Sequence, residues 1–229
     1  MDNDDFLQIA IDGPAAAGKS TQARLLAEKL NGYYINTGDM YRALAYAALQ
    51  AGIDPDKEPE KLVALLPEWE LEYKTTEDKH LQLYFNNEPI TQDKLRNPQV
   101  TAIVSQVARI PELREWMLDK QRRSRKLGLI IMEGRDIGTV VLPEAKFKFF
   151  ITASPLERAR RRLAQSEEVA TNASLEQVAA ELQKRDDIDS KREVAPLIQA
   201  ADAIKIITDG MNKEEVTEKL VAIIRKGLS

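Results

Sequence analysis

Short apolar segments alternate along the chain with longer segments that carry the apolar periodicity of helices. Five short runs predict β-strands, several of them apolar at consecutive positions: residues 7–12, 33–36, 129–133, 146–152 and 203–208. Continuous apolar runs are typical of parallel strands that are covered on both faces. The alternation of strand and helix therefore predicts a doubly wound α/β fold around a five-stranded parallel sheet.

The ends of three helices are also marked in the sequence. A helix over residues 19–30 is followed by Asn31, which suits a left-handed helix end. Ser154 precedes a proline and, three residues on, a glutamate, which is typical of a helix start. Asn212 with Glu215 likewise predicts the start of the last helix, which runs to about Lys226.

One region interrupts the alternation. Residues 69–73 and 81–85 show the period-2 pattern of half-buried strands, and Asn86-Asn87 can turn the chain into a short strand around residues 89–90. This pattern predicts a small antiparallel sheet that is inserted into the α/β fold. An insertion of this size is a usual place for substrate specificity, although it could equally be a packing elaboration.

Composition excludes several classes of function. The 229 residues include 33 Lys+Arg and 37 Asp+Glu, for a net charge of −4, with no cysteine and one histidine. There is thus no disulfide, thiol nucleophile, Cys-type zinc site or multi-histidine metal site. A slightly acidic chain is not expected to bind nucleic acid. Its acidic N-terminus does not resemble a targeting signal and no apolar stretch is long enough to span a membrane, so we expect a cytoplasmic protein.

A glycine-rich segment lies between the first predicted strand and the first predicted helix. It consists of Gly13, Pro14, Ala15, Ala16, Ala17, Gly18, Lys19 and Ser20, and it matches G-x-x-x-x-G-K-[ST]. In this context the loop N–H groups and the positive end of the helix dipole face an anion. Lys19 would reach the β- and γ-phosphates, and the Ser20 hydroxyl would ligate Mg²⁺. Asp12, directly before the loop, is either near the metal or a hydrogen-bond acceptor that shapes the loop.

Further runs point to a second anion site. The N-K-x-D motif of a GTPase-type switch is missing, because Asn212-Lys213 is followed by two glutamates. Residues 37–42, 133–139 and 185–192 each place arginine near the end of a predicted strand or helix. One such arginine alone would more readily form a surface ion pair. Three runs together favour a second phosphorylated ligand, and hence phosphoryl transfer between two small molecules.

Five runs together resemble the bacterial cytidylate kinases: residues 13–21, 37–42, 105–108, 134–143 and 185–197. The resemblance extends from about Leu7 to Arg225. Its phosphate-binding loop is shared by very many proteins, whereas the runs 134–143 and 185–197 are much more specific. The resemblance implies a single three-layer P-loop kinase domain over residues 1–229, with a nucleoside-monophosphate-binding insertion at 40–110 that contains the small antiparallel sheet and a helical lid at 156–184.

The resemblance also implies an activity and its ligands. ATP, with Mg²⁺, would transfer its γ-phosphoryl group to CMP and also to dCMP, and UMP would be a poorer substrate. ATP would bind the loop from Gly13 to Thr21 together with Arg158. The catalytic charges would be Lys19, Arg135, Arg162 and Arg185. Mg²⁺ would be held by Ser20, and by Glu133 through water.

The same resemblance assigns the residues around CMP. Its phosphate would be surrounded by Arg42, Arg114, Arg135 and Arg185, its base would be read by Ser105, Arg114 and Asp136, and its ribose would be held by Thr37, Asp189 and Arg192. In the lid, Arg158 and Arg162 are four residues apart and so share one helix face, which we expect to point toward the nucleotides.

The sequence departs from the family pattern at two of these places. The family usually has aspartate where this chain has Glu133, which keeps the charge but is one methylene longer. It usually has a small residue where this chain has Asp39. We expect Asp39 to cap a helix that begins near Met40. If it faced the phosphate site instead, it would oppose anion binding.

Phosphoryl transfer needs in-line positioning and neutralised charge, so we expect no general base. The nearer alternative is a kinase for adenylate, guanylate or a small metabolite such as shikimate. The alternative from another class is a P-loop protein that binds nucleotide without catalysis. The second set of arginines disfavours that alternative, because an ATP sensor needs no second phosphate site. We expect a monomer whose partners are its two small-molecule substrates.

Overall fold

The computed structural model describes residues 6–76, 80–164 and 173–228. The strands are β1 (Gln8–Asp12), β2 (Tyr33–Asn36), β3 (Leu71–Thr75), β4 (Leu81–Phe85), β5 (Glu88–Pro89), β6 (Ile130–Gly134), β7 (Phe147–Thr152) and β8 (Ile204–Ile207). The α-helices are α1 (Lys19–Leu30), α2 (Thr37–Gln50), α3 (Pro59–Leu65), α4 (Gln92–Arg96), α5 (Pro98–Arg109), α6 (Pro111–Arg123), α7 (Pro155–Leu163), α8 (Leu175–Lys191) and α9 (Lys213–Leu228).

A five-stranded parallel sheet, in the order β2-β6-β1-β7-β8, forms the centre of the fold. The predicted parallel sheet is therefore confirmed, with each strand within two residues of its predicted bounds. Asp12 at the end of β1 is paired with Gly134 at the end of β6, and Asn36 at the end of β2 is paired with Glu133. The three loops that leave these strands consequently start side by side, at the edge where ligands bind in open α/β sheets.

Both faces of the sheet are covered by apolar side chains. On one face Ile9 and Ile11 pack with residues of α1 and α9, among them Leu26 and Leu220. On the other face Ala10 and its neighbours pack against the segment that follows β6, which forms a π-helical turn over Ile137–Val141. Burial on both faces explains why the strands are apolar at consecutive positions.

The insertion has an apolar core of its own, which extends from Met40 to Met117 and joins α2, α3, α4, α5 and α6 to the small sheet. β3, β4 and β5 form the predicted antiparallel sheet. Asn86 and Asn87 both have positive φ, 49° and 65°, as a two-residue hairpin turn requires. The limits 40–110 of the nucleotide-binding insertion stay a proposal.

The predicted helix ends are confirmed by their hydrogen bonds. Asn31 takes the left-handed conformation after α1, with φ of 51°. The Ser154 hydroxyl accepts from the amide of Glu157, and Asn212 and Glu215 each accept from the amide of the other. α9 continues two residues beyond its predicted end. Of the predicted lid, residues 165–172 lie outside the described residues.

The start of α2 differs from the prediction. The helix begins at Thr37 rather than near Met40, and its cap is Asn36, whose side-chain oxygen accepts from the amide of Asp39. The prediction that Asp39 caps this helix is therefore wrong. Asp39 lies in the first turn, where its carboxylate is available for another partner.

No helix among the residues that the structure describes is both long enough and apolar enough to cross a membrane.

Candidate active site

A cleft opens at the carboxyl edge of the sheet, between the glycine-rich loop, the insertion and α8. Most of the predicted site residues line it: Ala15, Ala16, Lys19, Ser20, Thr37, Arg42, Ser105, Arg114, Glu133, Arg135, Asp136, Arg162, Arg185, Asp189 and Arg192. Others that were predicted to bind ATP do not line it in this structure: Gly13, Pro14, Ala17, Gly18, Thr21 and Arg158. Asp39, Tyr41 and Arg96 line the cleft although the sequence did not predict them as ligand-binding residues.

The glycine-rich loop packs so closely on the sheet that its first residue must be glycine. A Cβ atom at Gly13 would lie 2.0 Å from the carbonyl oxygen of Ile151 in β7, and its φ is +146°. Lys19 folds back over the loop, and its Nζ donates to the carbonyl oxygen of Pro14 at 2.7 Å. Burial, with the nearby charge of Arg135, lowers the pKa of Lys19 to about 7. An anion in the loop would restore the charge of this lysine.

Two buried side chains hold the loop from outside the cleft. The carboxylate of Asp186 in α8 accepts the amide of Ala15 at 3.0 Å, and Nη1 of Arg158 in α7 donates to the carbonyl oxygen of Ala15 at 3.0 Å. Arg158 and Asp186 also form an ion pair with each other. Arg158 thus supports the loop backbone, and its predicted contact with ATP stays a prediction. Sequence reasoning missed the part played by Asp186, although it lies in the run 185–192.

The other lid arginines point in different directions. Arg162 lines the cleft whereas Arg158 does not, and the prediction that both face the nucleotides stays a prediction. Arg161 donates to both the hydroxyl and the carbonyl oxygen of Thr208, at 2.8 Å each. The side chain of Arg160 is 60% exposed beside Glu157.

Asp12 connects the end of β1 to the turn after β6. Its two carboxylate oxygens accept the amides of Ile137 and Gly138 at 2.8 and 2.7 Å. Burial raises the pKa of Asp12 to about 6, although these two hydrogen bonds oppose the shift. The contacts support the hydrogen-bonding alternative for Asp12, and the loop that it shapes is the one carrying Arg135 and Asp136.

The end of the cleft next to the insertion holds a buried ion pair. Arg114 of α6 donates to Asp136, and both side chains are about 5% exposed. Nη2 of Arg192 lies 3.4 Å from the other oxygen of Asp136. The guanidinium carbon of Arg114 is 5.3 Å from the ring centre of Tyr41, a cation–π distance. These fixed donors and acceptors are suited to the polar edge of a base.

The middle of the cleft is dominated by arginine. Nε of Arg135 donates to Asp189 at 2.8 Å. Arg185, one turn before Asp189 in α8, has a pKa lowered to about 9 by burial and by the cations Arg135 and Arg42. The buried Nε atom of Arg185 has no hydrogen-bond partner. A substrate phosphate would supply the acceptor that this buried Nε–H group lacks.

Glu133 and Thr37 are connected across neighbouring strand ends. The hydroxyl of Tyr34 donates to Oε1 of Glu133 at 2.6 Å, and the Thr37 hydroxyl donates to the Glu133 carbonyl oxygen at 2.7 Å. A Cβ atom at Gly134 would lie 2.6 Å from the Thr37 hydroxyl oxygen, so glycine is needed for this approach. The proton of Thr37 is used within the protein, which leaves its lone pairs for a ribose hydroxyl.

Asp39 forms an ion pair instead of a helix cap. Its Oδ1 accepts from Nη2 of Arg96 at 2.7 Å, and its Oδ2 accepts from the side-chain Nε2 of Gln92 at 3.1 Å. Both partners belong to α4. Nothing in the sequence pattern marked Arg96, which is 57 positions away from Asp39.

The donor set of the cleft fits Mg²⁺. No group of three His, Cys, Asp or Glu side chains that could hold a metal occurs in the described part of the chain. Magnesium commonly needs less from a protein, because it retains waters and takes further oxygens from substrate phosphates. The Ser20 hydroxyl and the Glu133 carboxylate both line the cleft and provide the hard oxygen atoms that this ion prefers.

The cleft as a whole is strongly cationic. Among the described residues that line it, eight carry positive charge and four are carboxylates. The whole chain has a net charge of −4. An excess of four cations in one cleft of an acidic protein therefore points to polyanionic ligands.

Comparison with known proteins agrees with this arrangement. The family model for cytidylate kinase matches residues 9–226. A cytidylate kinase from a Geobacillus species is 46% identical over 96% of this chain and 97% of its own. Those of Limosilactobacillus reuteri and Enterococcus faecalis are 45% and 43% identical, each over 96% of this chain and 96% of its own. The chain belongs to the cytidylate kinase family.

Proposed function

We propose that the protein transfers the γ-phosphoryl group of ATP to CMP, and also to dCMP, giving ADP and the corresponding diphosphate. The observation that supports this most directly is the cleft itself. A phosphate-binding loop forms one end, the buried Arg114–Asp136 pair forms the other, and Arg42, Arg135 and Arg185 lie between them. Phosphoryl transfer needs this order of parts, because it depends on positioning and on neutralised charge.

On the ATP side, the loop amides and Lys19 hold the β- and γ-phosphates. Lys19 must leave the carbonyl oxygen of Pro14, 2.7 Å away, to do so. Arg162, from the lid, adds charge next to the transferred group. Closure of the lid excludes water and so suppresses hydrolysis of ATP. The contacts of Asp186 and Arg158 keep the loop in shape while Lys19 moves.

On the CMP side, Arg42, Arg135 and Arg185 surround the phosphate. The Asp136 carboxylate accepts from the amino group of cytosine, and Arg114 and Ser105 complete the polar edge. Thr37, Asp189 and Arg192 hold the ribose. A base without the matching donor fails to make this hydrogen bond to the buried Asp136 carboxylate, which is how a polar site rejects a similar substrate.

Ser20 would hold Mg²⁺ directly, and Glu133 would hold it through water. When it is bound, the ion neutralises charge on the phosphates of ATP. Tyr34 fixes the direction of the Glu133 carboxylate by its hydrogen bond. The cytoplasmic location and the monomeric state remain expectations from the sequence.

The proposal is tested by measuring ADP production with ATP, Mg²⁺ and each of CMP, dCMP, UMP, AMP and GMP. We expect CMP and dCMP to be the best acceptors and UMP to be poorer. Preference for AMP or GMP would overturn the base specificity. Absence of turnover with every acceptor would instead favour a binding protein without catalysis.

A further inference from the structure

The wall of the cleft next to the insertion contains a cation that has no part in the function proposed above. Arg96 is the last residue of α4, and its side chain is 25% exposed where it lines the cleft. It approaches the same region as Arg42 of α2. Burial raises the pKa of Asp39, and the nearby charges of Arg96 and Arg42 oppose that shift. Both guanidinium groups are therefore near one buried carboxylate.

Asp39 holds Arg96 by a contact that leaves little freedom. The Asp39 side chain is 7% exposed and accepts from Arg96 at 2.7 Å. Gln92 lies one turn earlier in α4. Its side-chain nitrogen donates to Asp39, and its side-chain oxygen accepts from Nε of Arg96 at 3.2 Å. The three side chains fix the plane of the guanidinium group, as a bidentate phosphate ligand requires.

The ion pair is not needed to attach α4 to the rest of the insertion. Leu95 of α4 is fully buried in the core of the insertion, and its carbonyl oxygen accepts from Nη1 of Arg42 at 3.0 Å. An ion pair that only fastened a helix to the surface would add little to this. Asp39 and Arg96 instead lie in the wall of the cleft itself.

We propose that Arg96 is a further binding residue for the phosphate of the nucleoside monophosphate, and that Asp39 is its positioning residue. The proposal rests on the function proposed above, since it concerns the acceptor of the same reaction. It reverses the simple electrostatic expectation for Asp39. A carboxylate beside a phosphate site should weaken anion binding, but one that presents an arginine to the phosphate strengthens it.

The two interpretations predict opposite signs for one substitution. If Asp39 only repels the phosphate, Asp39→Asn tightens the binding of CMP. If Asp39 positions Arg96, the same substitution weakens CMP binding about fivefold, and Arg96→Ala weakens it about tenfold, as the loss of one charge-assisted hydrogen bond predicts. In the Arg96→Ala protein, adding Asp39→Asn should then improve CMP binding, because the remaining carboxylate faces the phosphate without its arginine.

The experiment is a double-mutant cycle in the full-length chain, with the dissociation constants of CMP and of cytidine measured by calorimetry or by competition. Cytidine has the same base and sugar but no phosphate, so its affinity should be unchanged in all variants. Equal losses for cytidine and CMP would show a structural effect and overturn the proposal. Tighter CMP binding by Asp39→Asn alone, or additive effects in the cycle, would also overturn it.

Lys94→Ala serves as the matched control, because Lys94 is an exposed cation of the same helix outside the cleft. It should leave both affinities unchanged. Arg96→Lys keeps the charge but not the planar guanidinium group, and it should retain part of the CMP affinity. Such partial retention would show that the loss in Arg96→Ala is not caused by misfolding. If the unsubstituted protein binds no CMP at all, the proposed function fails. If it binds CMP but the substitutions at Asp39 and Arg96 leave the CMP affinity unchanged, only this inference is refuted.

Discussion

Lys19 is the residue whose charge depends most directly on ligand. Its pKa in the ligand-free protein is about 7, lowered by burial and by Arg135. Phosphates in the loop replace the lost solvation and raise that pKa, so binding should take up protons. Above pH 7 the free lysine is increasingly neutral and must be protonated on binding. The affinity for ATP should therefore decrease as the pH rises from about 7 toward the pKa of the bound state.

This proton uptake can be measured by titrating ATP at pH 8 in two buffers with different ionisation enthalpies. Lys19→Arg is the control, since arginine stays protonated and should abolish this contribution. Equal proton uptake in the two proteins would show that Lys19 is already charged before ATP binds.

Asp136 should determine which base is accepted. Its buried carboxylate is fixed by Arg114 and by Arg192. We expect Asp136→Asn to lower kcat/KM for CMP about 100-fold, because a charged acceptor for the cytosine amino group is lost. The KM for ATP should not change. Steady-state kinetics are compared with those of Asp119→Asn, because Asp119 is an exposed carboxylate of α6. The comparison separates the effect at Asp136 from the general effect of removing a carboxylate. A similar loss with UMP would contradict a role in reading the base.

At the scale of elements, α7 and α8 hold the glycine-rich loop by way of Arg158 and Asp186. Both contact the backbone of Ala15, one at its amide and the other at its carbonyl oxygen, so the loop depends on helices more than 140 positions away. We expect Asp186→Asn to raise the KM for ATP about tenfold, because the ion pair with Arg158 is lost. The dissociation constant of CMP alone should change little.

Asp187→Asn provides the comparison for this test. Asp187 is the next residue of α8, and its side chain is 48% exposed beside Lys191. Substitution there should leave KM unchanged. A loss of CMP affinity equal to the loss of ATP affinity in Asp186→Asn would mean that α8 as a whole had moved.

Sequence reasoning succeeded where the signal is local. The glycine-rich loop, the parallel strands and the caps at Ser154 and Asn212 each depend on residues within a few positions of one another. It failed where a contact joins distant segments. Asp39 was interpreted from its own neighbours as a helix cap, but its partner Arg96 lies 57 positions further along. The contact of Arg158 with Ala15, which spans 143 positions, was likewise missed, while its assignment to ATP stays a prediction.

At the scale of the whole molecule, charge is distributed for function rather than for stability. The cleft has four more cations than carboxylates while the chain has a net charge of −4. The positive electrostatic potential of this cleft attracts anionic substrates from a distance, and added salt weakens that attraction. In the ligand-free protein the same cations repel one another, so the fold should be less stable than its core allows.

Arg185 is where this conflict should be easiest to measure. Burial and the charges of Arg135 and Arg42 lower its pKa to about 9, and its Nε has no hydrogen-bond partner. We expect Arg185→Met to stabilise the ligand-free protein by about 1–3 kcal/mol in urea unfolding while kcat/KM for CMP falls at least about 100-fold. Lys184→Met, at the neighbouring exposed position, should change neither. CMP should also raise the melting temperature less in the variant than in the unsubstituted protein. If Arg185→Met destabilises the ligand-free protein instead, the arginine is held by favourable contacts before substrate binds, and the proposed conflict between stability and function is refuted.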